Sequence, residues 1–353
     1  MDKLFRIIDA NINRASEGLK VLEDLTRFYY DDMPISERLK KIRHNIRKSM
    51  MDYLPECLAG RCAINDVGLS ISKKNKIDDK TSLEELAAAN FKRLQEALRT
   101  IEEDLKVLGK FGLSKVYEEY RYASYMLEKD FSRVSCCLTK KQKLNTDLYC
   151  ITAEEHSCGR NNIEVVKAMI NSGVKIIQYR EKEKKLLQKY HECLNIRELT
   201  RTAGITFIIN DDIDIAMMIK ADGVHIGQDD LPVEKVRELV GPEMIIGVST
   251  HSPEQAQDAV NGGADYIGVG PIYKTFTKKD VCEPVGLKYL DYVVNNVGIP
   301  FVAIGGISEN NIKSVLAAGA KSVAIISAIV TKSDVERECK KFRDIILKYY
   351  GAL

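Results

Sequence analysis

The chain reads as two unlike parts: an α/β C-terminal part with the pattern of a TIM (β/α)8 barrel, and an all-α part before it. Three observations predict this. From Asp147 onward, short β-rich runs alternate with helical segments, eight times in about 207 residues. Junctions such as Ser172-Gly173-Val174, Gly262-Gly263-Ala264-Asp265 and Ala318-Gly319-Ala320 mark helix ends turning into strands. Before residue 140, apolar residues recur instead at the three/four spacing of amphipathic helices. A doubly wound open sheet is the alternative for the second part, but it seldom gives eight such regular units. The expected domains are 1–139 (helical), 140–146 (linker) and 147–353 (barrel).

In the first part, apolar residues at 12, 15, 19, 22, 25 and 28 predict a helix from Ile12 to Tyr30, ended by Pro34. Residues 36–51 form a second helix with a basic face that includes Arg38, Lys41 and Arg47. A polar loop runs from Ser70 to Lys80; helices follow at about 83–108 and 113–132. Two of these helices repeat one another. Asn13-Arg14-Ala15-Ser16-Glu17-Gly18-Leu19-Lys20 aligns with Lys92-Arg93-Leu94-Gln95-Glu96-Ala97-Leu98-Arg99, and Glu23-Asp24 with Glu102-Glu103, at a constant offset of 79 residues. Either two halves pack about a pseudo-two-fold axis with Arg14 and Arg93 on a phosphate, or the pattern is a solvated ion-pair ladder worth ~0.2–0.5 kcal/mol a pair. No GxxxxGK[ST] or GxGxxG occurs in this region.

In the second part, the expected strands are 148–152, 175–179, 206–210, 223–227, 244–249, 266–270, 301–304 and 323–327. Function in such a barrel belongs at the C-terminal strand ends. There the sequence places Gln178-Tyr179-Arg180-Glu181-Lys182, Asn210-Asp211-Asp212, Gln228-Asp229-Asp230, Ser249-Thr250-His251, the run Tyr273 to Lys279, Gly305-Gly306 and Ser327. Adjacent strands three and four both end in acid. Asp211 or Asp212 with Asp229 or Asp230 offers the hard oxygen ligands that Mg²⁺ takes, although an Asp at such a turn also serves as an N-cap. Gly306 and Ser327, after strands seven and eight, suit a monophosphate on backbone N–H groups. The residues alone therefore describe an enzyme handling a diphosphate with Mg²⁺ and a second, singly phosphorylated substrate.

Composition narrows the class. A 45% apolar and 29% charged chain with net charge +2 fits a soluble globular protein with small-molecule substrates, not a nucleic-acid or membrane-surface partner. The longest apolar run, Val323 to Val330, is far short of the ~20 residues that span a bilayer. Nine cysteines without metal or redox spacing, and no signal-peptide pattern, predict reduced thiols in the cytoplasm. Oligomeric state is not legible in the chain.

With its motifs QYREK, INDD, GVHIGQDD, GVST, GPIY-TFTKK, AIGGI and ISAI in order, the stretch from Asp147 to Ile346 resembles thiamine-phosphate synthase. The resemblance implies that 4-amino-2-methyl-5-hydroxymethylpyrimidine diphosphate condenses with thiazole phosphate, releasing pyrophosphate. It implies a diphosphate site of Gln178, Tyr179, Arg180, Glu181, Lys182, Asn210 and Lys278, with Ser249 against the pyrimidine. It selects Asp211 and Asp230 as Mg²⁺ ligands. Thr275, Phe276, Thr277, Gly306, Ile326 and Ser327 are implied for the thiazole phosphate, and Arg180, Lys182 and Lys278 for neutralising the leaving group. Lys274 departs from the proline expected in the family. A thiazole tautomerase or regulator on the same barrel is the alternative, with a structural oligomerisation module before it. Through NRASEGLKVLEDLTRF and NFKRLQEALRTIEE, the first part resembles a helical domain fused to such synthases, which implies an alternative kinase making the pyrimidine diphosphate.

Overall fold

The computed structural model describes residues 2–61, 81–275, 277 and 282–351. The chain divides into two compact units, Met1–Leu138 and Thr139–Leu353.

The first unit is helical. Its opening helix runs Asp2–Asp24, ten residues earlier than the sequence reading, because the apolar stripe begins with Phe5 and Ile8. Leu25–Tyr29 widens into a π-turn, where the Thr26 hydroxyl donates to the Leu22 and Glu23 carbonyls at 3.0 Å each. Helix Met33–Ser49 starts two residues after Asp31, with Asp32 capping the Ile35 N–H at 2.8 Å. A short helix, Leu54–Gly60, was not anticipated. Helix Leu83–Val107 begins where Ser82 accepts from the Glu85 N–H at 3.1 Å.

The matched positions of the repeat have matched environments. Asn11 and Asn90 are both buried, and each donates to the carbonyl four residues back, at 2.9 and 2.8 Å. A Cβ on Gly18 would lie 3.2 Å from the Asn90 carbonyl oxygen, so glycine lets the two helices approach closely there. The acids, not Arg14 and Arg93, are the buried charges. Glu23 pairs with Arg43 at 2.8 Å, and Glu102 with Arg99, Lys106 and Arg121 at 3.0, 2.8 and 3.0 Å. Burial alone would raise the Glu102 pKa, but Lys106, Arg121 and Arg99 outweigh it and hold the carboxyl below its ordinary range.

The second unit is a closed parallel barrel, β1-β2-β3-β4-β5-β6-β7-β8 in chain order. Its strands are β1 (Leu148–Ile151), β2 (Ile176–Tyr179), β3 (Thr206–Asn210), β4 (Gly223–Ile226), β5 (Ile245–Thr250), β6 (Tyr266–Val269), β7 (Phe301–Ile304) and β8 (Val323–Ile325). Every expected strand is present, some a residue or two shorter at an end. Alternate residues serve two cores. Ile177, Phe207, Ile209, Val224 and Ile246 pack against the helix ring. Tyr149, Ile176, Ile208, Ile245, Tyr266 and Val302 fill the interior. The interior includes two large rings, Tyr149 and Tyr266, and a Cβ on Gly247 would sit 2.1 Å from the second.

The stretch expected as a linker is helical to Leu144, the last turn of helix Phe111–Leu144. Leu144 joins the interior cluster. Lys143 pairs with Asp222 at 2.6 Å and Lys140 with Asp265 at 3.0 Å. Each of these aspartates also takes an arginine, Arg197 at 2.6 Å or Arg237 at 2.5 Å, and the N–H of the preceding strand, Phe207 at 3.0 Å or Ile246 at 2.8 Å. This end of the barrel is therefore held by two matched acid clusters.

Burial alone would raise the Asp222 pKa, but Lys143, the Phe207 N–H and Arg197 together depress it below its ordinary 3.8. A depressed carboxylate stabilises the fold above its unfolded pKa, and that stabilisation is lost as pH falls through the folded value. Asp222→Asn is expected to cost about 2 kcal/mol at neutral pH, since it removes the buried charge that Lys143, Arg197 and the Phe207 N–H all meet. The gap from the parent should narrow as pH falls below the ordinary carboxylate range. Urea midpoints across pH 2–7 read this out; parallel curves would refute the ionic role.

Candidate active site

The strands are parallel, so their carboxyl ends share one mouth. On its β3–β4 side the chain turns sharply. Asp211 sits at φ +63°, a left-handed conformation that Asp tolerates better than most side chains, and its N–H donates to the His225 carbonyl at 2.9 Å. That bond seats Asp211 at the end of β4. The Asp230 carboxylate turns back onto the Gly227 N–H at 2.6 Å, also at the end of β4. Lys182, from the loop after β2, forms an ion pair with Asp211. Asp212 is drawn away to Lys189 at 2.8 Å and stands before helix Ile213–Met218 without a side-chain capping bond, and Asp229 is exposed.

The donor set suits Mg²⁺, which takes one or two carboxylates and keeps several waters. Asp211 and Asp230 are hard oxygen donors on neighbouring strand ends. Among the described residues, no group of three or more His, Cys, Asp or Glu side chains is gathered as a closed metal cage. That is compatible with an open site completed by water and phosphate.

Below the mouth, polar side chains cross the barrel interior. Gln178 Nε2 donates to the Tyr149 hydroxyl at 3.0 Å, and the Tyr149 and Tyr266 oxygens are 2.7 Å apart. His225 bridges Tyr266 through Nδ1 and Ser249 through Nε2, at 2.9 Å each. Gln228 Nε2 donates to the Ser249 carbonyl at 2.6 Å. Burial pushes both tyrosines well above their ordinary range, so they stay phenols. Gln178 and Ser249 are thereby brought to one chain of contacts.

The β6–β8 side is built of turns. Gly306, at φ +63°, would place a Cβ 2.5 Å from the Lys274 carbonyl, so only glycine fits. Asn311 holds this turn, donating to the Gly306 carbonyl at 2.9 Å and accepting from the Ser308 N–H at 2.8 Å. Ser327 opens a four-residue helix, Ser327–Val330, with Ile326 as its N-cap, too short to show a period in the sequence. Thr275, Thr277, Gly306 and Ser327 line one cavity of about 600 Å³, together with His156 and Lys332.

Two expected substrate residues have their side chains engaged within the protein. Tyr179 is buried in the helix-facing core, with its hydroxyl donating to Glu192 at 2.7 Å. Burial and that bond push its pKa far up. Glu181 accepts from the Glu154 N–H at 3.0 Å and Asn162 Nδ2 at 2.8 Å, so its carboxylate is used within the protein. The motif had been taken as a block, whereas strand alternation turns Tyr179 outward while Gln178 points in. Arg180 is partly buried at the rim, its N–H donating to the Thr152 hydroxyl at 3.0 Å. Phe276 and Lys278 lie outside the described residues.

The interior residues Tyr149, Tyr266 and His225 went unread in the sequence. Their parity matches Gln178 and Ser249, and a glycine inside β5 signals a bulky neighbour.

No helix among the described residues is long and apolar enough to cross a membrane. Eight of the nine cysteines are described, all as free thiols.

Residues 148–329 match the family model described as thiamine monophosphate synthase, and residues 6–130 that described as the ThiD2 family. A thiamine-phosphate synthase of Pelotomaculum thermopropionicum is 60% identical over 203 residues, 58% of this chain and 93% of that protein. One of Synechocystis is 38% identical over 325 residues, covering 92% of this chain and 91% of that protein. Among solved structures, a thiamine phosphate pyrophosphorylase from Pyrococcus furiosus matches with TM-score 0.54 and 34% identity, over 59% of this chain and 98% of that one.

Proposed function

This chain belongs to the thiamine-phosphate synthase family and is a transferase of that kind, and from that premise we propose how its residues divide the work. The barrel joins 4-amino-2-methyl-5-hydroxymethylpyrimidine diphosphate to thiazole phosphate. The C–O bond to the diphosphate breaks first, its electron pair leaving with the oxygen, and the ring amino group stabilises the remaining cation. The thiazole nitrogen then supplies the pair for the new C–N bond. No proton moves in these steps, so no general base is required.

The observation that carries this reading is the pairing of Asp211 with Lys182 beside Asp230 at one rim. Asp211 and Asp230 would hold Mg²⁺, which supplies charge neutralisation to the departing diphosphate. Lys182 then exchanges Asp211 for a diphosphate oxygen, and Arg180 and Lys278 complete the cationic arc. Gln178, Asn210 and Ser249 hold the pyrimidine diphosphate. The loop of Gly306 and the N-terminus at Ser327 receive the thiazole phosphate, with Thr275, Thr277 and Ile326 at its ring. Asp211→Asn, treated in the Discussion, tests this assignment.

For the helical unit, the ThiD2 match supports a kinase that makes the pyrimidine diphosphate. The full chain, given ATP, Mg²⁺, pyrimidine monophosphate and thiazole phosphate, is then expected to form thiamine phosphate with no diphosphate added. Chromatography of the mixture decides it: product only when the diphosphate is supplied would remove the kinase reading and leave the barrel's untouched.

A further inference from the structure

The interior chain of side chains has a direction. Gln178 Nε2 donates to Tyr149, so the Tyr149 oxygen is an acceptor there. Tyr149 is 2% exposed, and its own hydrogen has the Tyr266 oxygen 2.7 Å away. The Tyr266 hydrogen is then left for His225 Nδ1, at 2.9 Å. With Nδ1 accepting, the ring donates from Nε2 to the Ser249 oxygen, also at 2.9 Å. Along this path each contact takes one hydrogen. At the two ends, the Gln178 carbonyl oxygen remains as an acceptor and the Ser249 hydroxyl hydrogen remains as a donor. The tyrosines cannot ionise out of this arrangement, because burial holds them as phenols.

We infer that Tyr149, Tyr266 and His225 are positioning residues that lock Gln178 as acceptor and Ser249 as donor, and so select an aminopyrimidine. An amino group beside a ring nitrogen presents one donor and one acceptor, which complements these two ends. A 4-oxo ring in its lactam form presents the reverse polarity and leaves both ends unpaired. This rests on the reading that Gln178 and Ser249 face the pyrimidine. None of the three positioning residues need touch the substrate.

The test begins with ¹⁵N NMR of the imidazole rings in the full chain, the His225 signals assigned by their loss in His225→Gln. A hydrogen on Nε2 is expected; a hydrogen on Nδ1 overturns the direction. Tyr149→Phe and Tyr266→Phe are each expected to raise KM for the pyrimidine diphosphate about tenfold, with KM for thiazole phosphate unchanged. Because either substitution cuts the same chain, the double variant should be no worse than the worse single one. Losses that multiply would mean independent packing roles and overturn the relay. The 4-oxo analogue, used as a competitive inhibitor, should bind the parent roughly 100-fold more weakly than the amino substrate, and that ratio should fall about tenfold in Tyr266→Phe as the freed hydroxyls reorient. An unchanged ratio counts against the lock. If Gln178→Ala leaves KM for the pyrimidine diphosphate unchanged, the substrate reading fails. If Gln178→Ala is impaired and the tyrosine variants are not, only the relay fails.

Discussion

Asp211→Asn is expected to lower kcat for coupling by about 10³-fold, or ~4 kcal/mol of transition-state stabilisation, with the fold intact. Asparagine is the informative replacement. Position 211 lies at φ +63°, which asparagine adopts readily and alanine does not, so Asp211→Ala would mix backbone strain with lost chemistry. The Asp211 N–H bond to the His225 carbonyl survives the change, as it belongs to the backbone. What is lost is one formal charge on the proposed metal site and the partner of Lys182. The freed Lys182 can still meet the diphosphate, so substrate binding should suffer less than turnover. Steady-state rates over a Mg²⁺ series, with thermal unfolding as the control, test this. Parent-level activity at every Mg²⁺ concentration would sink the assignment of Asp211.

Gly247→Ala is expected to be among the most damaging single methyls in the barrel, destabilising it by about 3 kcal/mol or more. The added Cβ would stand 2.1 Å from the Tyr266 ring. That ring cannot swing aside, because its hydroxyl is held by Tyr149 on one side and His225 on the other. At roughly 2–4 °C per kcal/mol for a domain of this size, the unfolding midpoint should drop by about 6–12 °C. A smaller ring neighbour should relieve the clash, so Gly247→Ala with Tyr266→Leu should be more stable than Gly247→Ala alone. Calorimetry of the three proteins decides it. If the double variant is the less stable, the clash is not the cause.

The barrel was legible because its strands are short apolar runs, many of them β-branched and bounded by glycine or charged residues, and parallel strands buried on both faces need little else. The mouth was legible for a related reason: polar residues that end such runs have nowhere to go but the rim. Tyr149 and Tyr266 were not, since a tyrosine inside a β-run looks like apolar filler until the partner of its hydroxyl is known. Tyr179 and Glu181 were assigned to the mouth by their place in a motif, whereas alternation turns Tyr179 to Glu192 and the Glu181 carboxylate accepts from Asn162. The run Lys140 to Asn145 looked like a linker because its lysines have no local partner. Their partners, Asp265 and Asp222, lie far along the chain. Nothing within ten residues of Lys140 announces them.

Those two lysines also bear on where the polypeptide can be divided. A barrel begun at Asp147, the first residue before β1, would lack Leu144 from its interior and leave Asp222 and Asp265 with one cation each. Begun at Thr139, where the second compact unit starts, it would carry its own stopper and both pins. The natural seam for separating the two units therefore falls inside a helix, several residues upstream of the first strand.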